Sequence, residues 1–81
     1  MNVNVKLFAR ARDVAGADCV TVELPEPARV GDLRAALCER YPDLRPLAAS
    51  LLISVGTDYA KDDAPIRPGD EIACFPPVSG G

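Results

Sequence analysis

Histidine and tryptophan are absent from the 81-residue sequence, methionine occurs once, and two phenylalanines and two tyrosines are its only aromatic residues. Without histidine, the commonest general acid or base and the commonest metal-binding imidazole are both missing. No nucleophile is followed by a recognisable base and no glycine-rich phosphate loop occurs, so an autonomous active site is not expected. The three cysteines, Cys19, Cys38 and Cys74, are odd in number and far apart. They suit neither a paired disulfide framework nor the close ligand spacing of zinc and iron-sulfur sites, and they read as packing residues in a reducing cytosol. No metal site is predicted.

A strong excess of charge is also missing. Nine basic residues face twelve acidic ones, giving a formal charge of -3, and the basic residues are scattered. Nucleic acid is therefore not an expected partner, because that binding rests on clustered Lys and Arg neutralising phosphates. The opening Met1-Asn2-Val3-Asn4-Val5-Lys6 alternates polar with apolar residues, lacks the continuous apolar segment of a signal peptide, and no membrane span follows. The expectation is a cytoplasmic protein.

What is present suits one small globular domain, with 48% apolar and 26% charged residues. At this length only about 60% of the unfolded chain's surface is buried on folding, so the core is small. Val3, Val5 and Leu7 alternate with Asn4, Lys6 and Phe8, which predicts a strand with one buried face. Arg10 to Asp18 reads as a charged, Ala-rich connection containing Gly16, and Cys19 to Leu24 as a second, antiparallel strand. Pro25 and Pro27 stop it. Leu33, Ala36, Leu37, Arg40 and Tyr41 then recur at helical spacing, with Asp32 at the start, Arg40 near the end and Pro42 just beyond.

Asp43 to Ser50 is read as a loop with a short helical turn, and Leu51 to Val55 as a third strand running into the turn Gly56-Thr57-Asp58. A short edge strand is expected from Tyr59 to Lys61. Arg67-Pro68-Gly69-Asp70 has the residue order of a type II turn and launches a last strand, Glu71 to Phe75. This order is an α+β layout in which a single helix packs across a mixed sheet. The division is residues 1–75 for the domain and 76–81 for an extended, flexible tail.

The tail, Pro76-Pro77-Val78-Ser79-Gly80-Gly81, carries no ionisable side chain. Such a segment enters a narrow, partly dry channel without stranding a charge there. The prolines favour an extended backbone, six extended residues reach roughly 20 Å, and the glycines let an enzyme close around the reacting end. A frayed terminus is the ordinary alternative.

The run Gly69-Asp70-Glu71, the Phe75-Pro76-Pro77 junction and the Gly80-Gly81 end together resemble the small subunit of molybdopterin synthase, the MoaD family. Leu7-Phe8-Ala9 with Arg12-Asp13, the single helix, and Ile53-Ser54-Val55 before a glycine turn extend the likeness over nearly the whole chain. Gly56 departs from it, standing where that family often has Asn. The resemblance implies a β-grasp, ubiquitin-like fold and a sulfur carrier. It further implies that Gly81, with Gly80 beside it, is adenylated by an ATP- and Mg-using activating enzyme of the MoeB kind. A sulfur donor such as a cysteine desulfurase then converts the adenylate into a thiocarboxylate. The large subunit of molybdopterin synthase, in a heterotetramer, is the implied recipient. There sulfur passes to a cyclic pyranopterin phosphate to form the dithiolene of molybdopterin, in molybdenum cofactor biosynthesis. The chain itself is expected to bind no cofactor and to act as a non-catalytic sulfur-donor subunit.

Strand parity suggests where a partner docks. With Val3, Val5 and Leu7 inward, Phe8 faces outward, and with Ile72 and Cys74 inward, Phe75 does too. Exposed aromatics beside the tail suggest an interface anchor. Phe75, Pro76, Pro77, Val78, Ser79 and Phe8 are the candidate partner-binding residues, with Tyr59 and Arg12 at the rim. Three alternatives remain open: a carrier for thiamine thiazole synthesis of the ThiS type, a ubiquitin-like protein modifier joined through Gly81, and a β-grasp interaction module with an inert tail.

Overall fold

The computed structural model describes residues 1–77; Val78, Ser79, Gly80 and Gly81 lie outside the described residues. Period-2 alternation is realised in β1 (Asn2–Leu7), whose Val3, Val5 and Leu7 are buried while Asn2, Asn4 and Lys6 are exposed. After Leu7 the chain turns into a short helix, α1 (Ala9–Ala15), where a plain connection was expected. Ala-rich composition favours that helix, Ala11 packs fully inside, and Gly16 ends it at φ 78 with its N–H donating to the Arg12 carbonyl. The described residues thus hold two α-helices rather than one.

Strand β2 (Cys19–Glu23) returns antiparallel to β1 with Val3 opposite Val22 and Val5 opposite Val20, so the two apolar sets share one face. A two-residue strand, β3 (Ala28–Arg29), leads into the main helix, α2 (Val30–Arg40). The Arg29 backbone N–H donates to Asp32 Oδ2 at 2.8 Å, satisfying one donor at the helix start, and Val30, Leu33 and Leu37 form its buried stripe. The expected short turn beyond α2 is longer, a 3-10 helix over Pro42–Ser50. Arg34 secures it, donating from its guanidinium to the carbonyls of Ala48 and Leu51 while pairing with Asp62 at 3.1 Å.

Strand β4 (Leu52–Val55) and strand β5 (Asp58–Ala60) form a hairpin across Gly56-Thr57, with Gly56 at φ 66. The short strand β6 (Pro65–Ile66) pairs only with β3. The predicted turn before the last strand closes with the Asp70 N–H on the Arg67 carbonyl at 3.1 Å and Gly69 at φ 88. Strand β7 (Ile72–Phe75) then inserts in the middle of the sheet, parallel to β1 and antiparallel to β4, in the order β2-β1-β7-β4-β5. A mixed sheet with α2 across one face is the ubiquitin-like β-grasp arrangement.

The core is aliphatic throughout. Among the described residues seventeen hydrophobic ones are buried, including Leu7, Leu33, Leu37, Leu44 and Ile53, and none of these is aromatic. Burying any one of these large side chains stabilises the fold by about 1.5 to 3 kcal/mol. No helix among the described residues is long and apolar enough to cross a membrane.

Candidate functional site

Registry explains why the aromatic residues meet. β1 and β7 run parallel with Leu7 beside Cys74, both turned inward and buried, so the residues that follow them, Phe8 just past β1 and Phe75 on β7, lie toward the other face. Their rings stack at a centroid distance of 4.8 Å and an interplanar angle of 7°. On the other side β4 sets Leu52 opposite Phe75, and β5 sets Tyr59 opposite Ser54. Tyr59 therefore meets Phe75 diagonally, edge-on, at 6.2 Å and 78°. Phe75 is half-buried between its neighbours, while Phe8 is 41% and Tyr59 70% exposed.

These rings, with Ala9, Leu52, Pro76 and Pro77, enclose a shallow apolar depression of about 360 Å³ at the point where the tail leaves β7. Among its lining side chains only the tyrosine hydroxyl can form a hydrogen bond. The structure thus gathers five of the sequence-derived partner residues: Phe75, Pro76, Pro77, Phe8 and Tyr59. Arg12 is not among them. It sits on α1, pairs with the exposed Asp13 at 3.7 Å, and borders a separate depression with Gly16, Ala17 and Asp18. Val78, Ser79, Gly80 and Gly81 fall outside the described residues.

Two lining residues escaped sequence reasoning. Leu52 is 39% exposed, and its signal was parity, since it alternates with buried Leu51 and Ile53 and so is an apolar residue on an outward position. Ala9 left no signal. Its φ of 53 places a non-glycine residue in the left-handed region, a conformation that costs about 1 to 2 kcal/mol. That turn swings the chain off the line of β1 into α1 and leaves Phe8 over Phe75.

Behind the depression, Cys74 is fully buried on the inner face. Burial pushes its thiol up to about 11, with Arg34 opposing the shift and Cys38 adding to it. The thiol nearest the tail is therefore protonated and covered at neutral pH, unsuited to attack. Among the described residues no group of three or more His, Cys, Asp or Glu could hold a metal ion.

The ThiS family model matches residues 5–81, nearly the whole chain. The chain belongs to the ThiS family. A relative in Chlamydomonas reinhardtii, a molybdopterin synthase sulfur carrier subunit, is 34% identical over 83 residues, with both chains covered completely. SAMP1 from Haloferax volcanii is similar in structure at TM-score 0.87 and 32% identity, again over the full length of both chains. A Pyrococcus furiosus protein described as subunit 1 of molybdopterin converting factor superposes at TM-score 0.86 and 36% identity, covering 96% of this chain and 99% of that one. In this ThiS-family chain the aromatic cluster thus rings the start of a segment that ends in two glycines.

Proposed function

We propose that the chain is the sulfur carrier subunit of molybdopterin synthase, with the Gly81 carboxylate as its working group. The observation that carries this reading is the exit of an uncharged Pro-Pro-Val-Ser-Gly-Gly segment from the sheet centre, beside a solvent-facing aromatic cluster. Full-length similarity to a protein named for that role supports it. A terminal carboxylate with an ordinary pKa of about 3.3 to 3.7 is ionised at neutral pH and is a poor electrophile. Its oxygen attacks the α-phosphorus of ATP on a Mg-dependent activating enzyme, and pyrophosphate leaves. The terminal sulfur of a persulfide supplied by a cysteine desulfurase attacks the acyl-adenylate carbon and expels AMP, and a thiol reductant then cleaves the resulting acyl disulfide. The resulting thiocarboxylate is the stored nucleophile.

In the proposed complex Phe75 and Phe8 anchor the large subunit, Tyr59 lies at the rim, and residues 76–81 enter that subunit's active site. The thiocarboxylate passes its sulfur to a cyclic pyranopterin phosphate there. A dithiolene needs two sulfurs, so two loaded carriers act in turn. Deleting Gly81 abolishes thiocarboxylate formation, read as loss of the mass gain from replacing one oxygen by sulfur, while thermal unfolding is unchanged. Loading that survives the deletion removes Gly81 as the attachment point. A second reading, a protein modifier, is favoured by the similarity to SAMP1, a small archaeal modifier protein. Stable isopeptide adducts through Gly81 in host extracts would support it.

A further inference from the structure

We propose that Phe8 is a positioning residue for the tail, acting through Phe75 to set the direction in which Pro76 and Pro77 leave the sheet. The proposal rests on the sulfur-carrier reading only for its consequence in turnover. Its basis is where backbone support for β7 stops. The ladder between β1 and β7 ends with Leu7 beside Cys74, followed by one more bond from the Phe8 N–H to the Cys74 carbonyl at 3.2 Å. The left-handed turn at Ala9 then carries the chain away into α1. On the other flank β4 reaches no further than Leu52 opposite Phe75. Pro76 and Pro77 have no N–H to donate to either neighbour.

Beyond Phe75, then, side-chain packing replaces hydrogen bonding as the constraint on direction. Phe75 is held by Phe8 in a face-to-face stack and by Tyr59 in a T-shaped contact. Phe8 is otherwise a poor candidate for a structural role, since it is 41% exposed and makes no contribution to the buried core. A strained residue directly after it is also costly unless the ring's placement matters. A tail threaded into a partner's channel is sensitive to its starting direction, because a misplacement of about 1 Å at a reacting centre can cost a hundredfold in rate.

The test compares wild type with Phe8→Leu, which keeps apolar bulk but removes the stacking face, and Phe8→Tyr, which keeps the face. In the free protein, proton chemical shifts of Phe75, Pro76 and Pro77 report the ring currents of the stack. Single-turnover thiocarboxylation at saturating activating enzyme reports presentation, and its concentration dependence separately reports affinity. Phe8→Leu should lose the ring-current shifts and slow the saturated rate by about tenfold or more. Phe8→Tyr should restore both. A Phe8→Leu protein that binds weakly yet loads at the wild-type saturated rate overturns the proposal and leaves Phe8 as a contact residue. Unchanged Pro76 and Pro77 shifts overturn it independently. If wild type is never loaded, the carrier reading fails, and the chemical shifts alone decide whether Phe8 orients the prolines.

Discussion

The two faces of the sheet divide the side chains in an unusual way. Among the described residues the fully buried inner-face side chains are Val, Leu, Ile, Ala and Cys74, with Tyr41 packed against them only partly buried, whereas Phe8, Phe75 and Tyr59 gather on the outer face. Aromatic side chains usually dominate core energetics. The buried core lacks them, and three of the four gather in a solvent-facing cluster, which under the proposed function serves recognition. In the proposed carrier the inner face governs stability and the outer face encounters with the partner, and the two should respond separately to substitution.

The largest expected effect lies inside. Leu37→Ala removes a side chain 1% exposed in the α2 stripe and should cost about 2 to 5 kcal/mol in chemical unfolding. Affinity of the remaining folded fraction for a partner should hold. Next comes alkaline pH. The Cys74 thiol ionises near the ordinary 9.0 in the unfolded chain but near 11 in the fold, so only the unfolded state loses this proton between those values. Stability should fall progressively across that window, by at most about 3 kcal/mol, and be unaffected by this group below it. Urea titrations at several pH values, set beside Cys74→Val, measure the difference, and identical alkaline slopes for both proteins would contradict the burial argument.

The smallest expected effect on folding comes from the outer face. Phe75→Ala should weaken binding to a larger partner by more than about 1 kcal/mol, as an anchor does. Its folding cost should stay near 1 to 2 kcal/mol, reflecting two lost ring pairs and partial burial. A folding cost as large as that of Leu37→Ala, with binding intact, would erase the distinction between the faces.

Legibility in the sequence followed the same division. Alternation placed β1, β2 and β7 and their inward residues, because a half-buried strand writes its burial into every second position. Proline and glycine located the turn before β7. The helix α1 was missed since its seven residues contribute a single buried side chain and its first residue has no side-chain cap, leaving little periodicity to detect. β3 and β6 are two residues each and exist through pairing with one another, which no local pattern encodes. Parity turned Phe8 and Phe75 toward the same side, yet their stacking depends on the parallel register of strands far apart in sequence. Arg12, expected at the rim, lies instead on α1 beside a separate depression, because the short helix that carries it left no signal.

The central place of β7 has a mechanical consequence. Tension applied to the tail runs along β7 and loads the ladders to β1 and β4 together, in shear, instead of peeling one strand from an edge bond by bond. A partner that grips and draws in the end of this chain therefore pulls against a strand braced by neighbours on both sides rather than against an exposed edge.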